Sequence, residues 1–161
     1  MSEDPLTHFD SAGSARIVAI DDKAETLRTA VARSRIRMDV QTLKRIEAGT
    51  VGKGDVLAVA RIAAIGAAKA TSTVIPLCHP VRITAIDVSF ALDPDLPGVE
   101  ARVEVHAHDR TGPEMEAMTA AATAALTIYD MCKAMDRAMV VDEVALLEKT
   151  GGKSGRWTRP L

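Results

Sequence analysis

The chain has 161 residues and a net charge of −2, with 47% apolar and 26% charged residues. That is the length of one domain, and so balanced a charge offers no global field to attract nucleic acid. Aromatic residues make up only 2%, so few rings can stack on bases, and a flat ligand would lie mostly on aliphatic or thioether side chains.

The first 14 residues are polar and read as a flexible segment. They have neither a basic start nor an apolar run, so they do not read as a signal peptide. Arg16–Ile20 reads as a short strand, and Leu27–Met38 as a longer one, with Arg33, Arg35 and Arg37 alternating against Ser34, Ile36 and Met38. Asp39 is placed to cap a short helix over Val40–Ala48, which Gly49 would end. The glycine-rich loop GTVGKGD over 49–55 carries Lys53 at its tip, and Asp55 can cap a second helix from Val56 to about Thr71. That helix is apolar nearly all round, which predicts deep burial. The apolar stretch Val56–Ala70 is broken by Arg61 and Lys69 and is too short and too charged for a membrane span.

Pro76 and Pro80 bracket the loop IPLCHP. Val81–Leu92 reads as a strand whose alternation changes phase near Ala85 and Ile86, the mark of a bulge. A turn over 94–98 leads into Val99–His108, apolar at odd positions and carrying Glu100, Arg102, Glu104, His106 and His108 at even ones. Glu114–Arg137 has no Gly or Pro and reads as a helix roughly 35 Å long. Thr111 and Glu114 have capping-box spacing, which competes with a start at Pro113. Glu116, Thr123 and Asp130 recur at sevens and so share a face to within about 40°. Val140–Lys149 is the last strand, followed by GGKSG and a polar tail over 156–161. The order strand, helices, strand, strand, helix, strand predicts an α+β, ferredoxin-like fold, an antiparallel sheet with helices packed on one face. The single domain would span residues 15–155.

Several chemistries can be set aside. A phosphate-binding P-loop needs a Gly six positions before its Lys; for Lys153 that position holds Leu147, and for Lys53 it holds Glu47. Cys78, His79, His106, His108 and Cys132 include no pair at a zinc-motif spacing, so no metal site is expected. The two cysteines make no disulfide framework, which fits a reduced, cytoplasmic compartment. What remains is cationic and acid–base. Lys53 and Lys153 sit in glycine-rich loops whose N–H groups can cradle phosphate. Asp130 and Lys133 lie three apart on a helix and can touch. They form either a surface ion pair or an acid–base pair whose charges set each other's pKa.

LTHFD near the start, GKGDVLAVARIAAIGAAKATSTVIPLCHP, TGPEMEAMTAAATAALTIYDMCKAMD and LLEKTGGKSG, together and in this order, resemble the cyclic pyranopterin monophosphate synthase family, the C protein of molybdenum-cofactor biosynthesis. One departure is Pro113, where the family usually has Val. The resemblance implies a lyase that takes the cyclised GTP intermediate, made by a radical S-adenosylmethionine enzyme, to cyclic pyranopterin monophosphate with release of diphosphate. It implies a homohexamer built as three dimers, with active sites at dimer interfaces. It carries catalytic roles onto Asp130, Lys133 and Lys53, and substrate contacts onto Leu77, Cys78, His79, Met115, Glu116 and Lys149, with Glu114 beside them. No cofactor is implied, and residue types alone leave open whether Mg²⁺ accompanies the triphosphate. Two other readings use the same residues. A non-catalytic oligomeric nucleotide-binding protein would keep the lysines but gain nothing from Asp130. An RNA-binding sheet would want aromatics that Val99–His108 lacks.

Overall fold

The computed structural model describes residues 13–160. The polar start, LTHFD included, lies outside them apart from Gly13 and Ser14. The elements are β1 (Thr26–Arg37), α1 (Val40–Glu47), α2 (Val56–Val74), β2 (Ile83–Asp93), β3 (Gly98–Asp109), α3 (Glu114–Cys132), β4 (Val140–Thr150) and β5 (Trp157–Thr158). All pairings are antiparallel, in the order β2-β3-β1-β4-β5. The first four strands therefore stand in the ferredoxin-like order, and β5 is a two-residue addition on β4 that the polar composition of the tail does not signal.

Alternation sets the faces of the sheet. Ala30, Ala32, Ser34 and Ile36 of β1 and Val99, Ala101, Val103, Val105 and Ala107 of β3 are buried toward the helices. The other face is charged, with Arg33 near Glu100 and Glu143, and Arg37 bonded to Asp142. Burying an aliphatic side chain such as Ile36 or Val99 contributes roughly 1.5–3 kcal/mol. The expected bulge in β2 lies between Ile83 and Ala85, one or two residues earlier than the change of phase suggests.

Asp39 caps α1 through Gln41 N–H, and Asp55 caps α2 through Ala58 N–H, both as expected. Small residues let α2 and α3 approach closely: Ala60, Ala64 and Ala68 of α2 and Ala117, Ala120, Ala121 and Ala124 of α3 are all buried. Ser34 ties this layer to the sheet by donating to the Ala121 carbonyl at 2.5 Å.

Three expectations change, and the choice between the capping box and a start at Pro113 is settled. Arg16–Ile20 is not a strand; only Ala15 makes an isolated bridge, since the residues that follow find no ladder partner. The capping box does not form: Pro113 is the N-cap with no side-chain bond, because Glu114 turns instead to Lys149. α3 stops at Cys132, not Arg137. Met135 and Asp136 N–H groups both return to the Cys132 carbonyl, and the Asp136 carboxylate accepts from Asp39 N–H and Ala138 N–H, pulling the chain toward α1. Finally, α2 buries only one face; Val59, Ile62 and Val74 are 44%, 70% and 60% exposed. With 19 residues and a mean hydropathy of 1.3, α2 is long and apolar enough to cross a membrane by those two measures, contrary to the sequence expectation. Here it packs along α3 with Arg61 and Lys69 in its middle.

Candidate active site

α3 separates two clusters. At its C-terminal end, Asp130 stands between two lysines. Lys133, one turn on, donates to Asp130 Oδ1 at 2.6 Å. Lys53, brought in by the 49–55 loop, donates to the Asp130 carbonyl at 2.8 Å and lies 3.5 Å from Oδ2. The Lys133 hydrogen bond and charge, then the charge of Lys53, hold the Asp130 carboxyl below its usual range, and the same bond raises the Lys133 ammonium above its own. At neutral pH the aspartate is therefore a carboxylate and the lysine an ammonium, each held in its charged form by the other, and a ligand that parts the pair frees the one as a base and the other as an acid. All three side chains are about half exposed and reachable by a ligand.

At the N-terminal end, the loop after α2 and the start of α3 enclose a cavity of about 380 Å³ lined by Ile75, Leu77, Cys78, His79, Thr111, Gly112, Glu114 and Met115. Glu116 lies beneath it, only 2% exposed. Its Oε1 sits 3.8 Å from Cys78 Sγ, while its Oε2 has no partner among the described residues. Burial raises the Glu116 carboxyl despite the lowering effect of its hydrogen bonds. Burial, then the charge and hydrogen bond of Glu116, push the Cys78 thiol up to about 11, so at neutral pH it is a thiol and a poor nucleophile. Lys149 of β4 bonds Glu114 at 3.0 Å.

The sequence expectations for the site thus fall into two groups. Lys53, Asp130 and Lys133 come together, and Leu77, Cys78, His79, Glu114, Met115, Glu116 and Lys149 come together, but the groups sit at opposite ends of α3. Fourteen residues separate Glu116 from Asp130, roughly 21 Å along the axis. Nor do the two carboxylates share an exposure: Glu116 turns inward and Asp130 faces solvent. The open stripe of α3 runs instead through Met115, Thr119, Ala122, Leu126 and Asp130.

Sequence reasoning missed a second cavity, of about 650 Å³, that meets the first at Thr111, Gly112 and Glu114. Arg28, Arg110, Lys149 and Lys153 line it. The glycine-rich setting of Lys153 marks it in the sequence, but Arg28, near the start of β1, and Arg110, just after β3, give no signal in an ordinary charged context. Among the described residues no three His, Cys, Asp or Glu side chains gather as a metal site.

A family model described as the MoaC family matches residues 17–152. A protein of Heliobacterium modesticaldum is 56% identical over 156 residues, covering 97% of this chain and 98% of the relative. One from Desulfitobacterium hafniense is 54% identical, covering 96% and 94%. One from a Thermoanaerobacter species is also 54% identical, covering 97% and 99%. All three are named cyclic pyranopterin monophosphate synthase. With the family model spanning both clusters and relatives matched end to end, the chain belongs to the MoaC family.

Proposed function

We infer that the chain is a lyase of molybdenum-cofactor biosynthesis. It converts the cyclised GTP intermediate, supplied by a radical S-adenosylmethionine enzyme, to cyclic pyranopterin monophosphate and diphosphate. The observation that carries the reading is Asp130 held between Lys133 and Lys53, in a chain more than half identical to full-length synthases. A protein that only holds a nucleotide has no use for a carboxylate between two lysines meant for phosphate. Rebuilding a purine-derived ring into a pterin requires several proton transfers, and this triad offers a base and an acid within one hydrogen bond. Closing the cyclic phosphate requires a sugar hydroxyl to attack phosphorus as diphosphate leaves, and cations offset the charge that grows on the leaving group. The lysines supply that role and His79 a hydrogen bond, without a resident cofactor; any Mg²⁺ would enter with the triphosphate.

The working unit in this reading is a cytoplasmic homohexamer of three dimers, each pocket shared by two chains. The exposed Val59 and Ile62 of α2 and Leu126 of α3 are apolar surface for such an assembly to cover. Incubating the pure protein with the cyclised intermediate should release diphosphate and a pterin. Asp130→Asn and Lys133→Ala should keep the oligomer and lose about 100-fold or more in rate. Near-normal turnover in either variant would sink the assignment.

A further inference from the structure

We propose that Asp136 is a positioning residue for the site: by ending α3 just after Asp130 and docking that end on the start of α1, it keeps the Asp130 carbonyl open for Lys53. The proposal rests on the reading above for what Lys53 and Asp130 do. Its basis is the last turn of the helix. α3 ends at Cys132, with Lys133 N–H bonded to the Tyr129 carbonyl at 2.8 Å. The next carbonyl, that of Asp130, is one of the acceptors that a helix end leaves open. Lys53 Nζ fills it at 2.8 Å, closer than its 3.5 Å to Oδ2. If α3 ran on to Arg137, Ala134 N–H would claim the same oxygen.

Residue preference alone favours running on. Lys133, Ala134, Met135 and Arg137 are good helix formers, and Asp136 is the poor one among them. Its carboxylate bonds to groups that a continued helix would carry away: Oδ2 accepts from Asp39 N–H at 2.8 Å and Oδ1 from Ala138 N–H at 3.0 Å. Packing adds little at this junction. Lys133 and Ala134 are exposed, and a cavity of about 580 Å³, bordered by Gln41, Thr42, Arg45 and Met135, lies beside it. A second tie joins Arg45 Nη1 to Met135 Sδ at 3.1 Å, but a thioether is a weak acceptor.

The same carboxylate aligns the other partner. Asp39 caps α1, and the loop carrying Lys53 leaves the far end of that helix. The loop follows closely from α1: Gly49 N–H returns to the Ile46 carbonyl at 3.1 Å and Thr50 N–H to the Arg45 carbonyl at 3.0 Å, and Val51 is buried. Asp136 thus joins the element bearing Asp130 to the element that aims Lys53, and the Lys53–Asp130 contact closes the ring. Lys133 stands outside this ring. Its bond to Asp130 Oδ1 spans three positions of one helix and would survive an extension of α3.

Competitive acetylation of the lysines in the full-length oligomer, with mass spectrometry as the readout, tests this without turnover. In Asp136→Ala, Lys53 should label about threefold faster or more, the weight of one hydrogen bond, and Lys133 no faster than in wild type. Asp136→Asn, which keeps one acceptor oxygen, should fall between the two and stands in if the alanine variant does not fold. With the cyclised intermediate as substrate, Asp136→Ala should lower kcat about tenfold or more and leave KM within about twofold. In a Lys53→Ala background the same change should cost nothing further, and an undiminished loss there would overturn action through Lys53. Unchanged labelling of Lys53 would overturn the positioning role, whatever the protein turns over. So would equal acceleration of Lys53 and Lys133, the mark of general loosening. Faster labelling of Lys53 with kcat intact would uphold the positioning role and defeat the catalytic role given to Lys53 above.

Discussion

Two carboxylates on one helix are pushed in opposite directions, and the causes differ. Asp130 is exposed and lowered by its lysines; Glu116 is buried and raised by desolvation. For Glu116 the folded pKa stands above the unfolded one, near 4.3 in a free chain. Well below that, the group is protonated in both states and costs the fold nothing. As pH rises through the folded value, the folded state must hold a buried charge with one oxygen unpartnered among the described residues, and stability falls. Glu116→Gln removes this dependence. Urea unfolding midpoints from pH 4 to 8 should show the variant gaining on wild type as pH rises, then levelling off. A difference that stays flat across the range would mean the carboxylate finds compensation that burial does not reveal. The burial was not legible in the sequence. Spacing placed Glu116 with Asp130, but a seven-residue step drifts about 20°, and two such steps carry a residue from the buried flank to the open one.

At the scale of elements, local signals succeeded wherever the partner was local. The caps Asp39 and Asp55 and the alternation of β3 needed only their own residues. The end of α3 could not be read, because Lys133, Ala134, Met135 and Arg137 are good helix formers and the stop comes from Asp136 reaching Asp39, nearly a hundred positions away. Arg28 was invisible as a site residue for the same reason: its surroundings depend on the β1–β4 register. α2 shows the limit of composition. Its apolar character predicted burial all round, but its close fit to α3 uses alanines on one side only. Ala64, fully buried in that seam, should tolerate no enlargement. Ala64→Leu should cost roughly 1–3 kcal/mol through overpacking, read as a lowered denaturation midpoint with helical content retained. An unchanged midpoint would mean that the two helices are free to move apart.

For the whole molecule, the decisive fact is that the two clusters cannot serve one small ligand within a single chain. A two-fold axis near Thr123, with two α3 helices antiparallel along their open stripes, would set the Met115 cavity of one chain beside Asp130 of the other, twice over, as an isologous contact demands. The raised Glu116 and the lowered Asp130 would then border one pocket, which is how acid and base roles are separated elsewhere. Alanine and threonine at the crossing would allow the close approach. Subunit mixing distinguishes this from two independent sites. Glu116→Gln and Asp130→Asn proteins, each first shown to have lost activity alone, are co-refolded one to one. If pockets are shared, half the dimers are mixed, and each mixed dimer holds one pocket free of both changes. Activity should return to about a quarter of wild type, a fraction set by random pairing about the two-fold axis. Recovery absent from an oligomer shown by mass spectrometry to be mixed would place both carboxylates in the service of one chain, and the 21 Å between them would then need a conformational explanation.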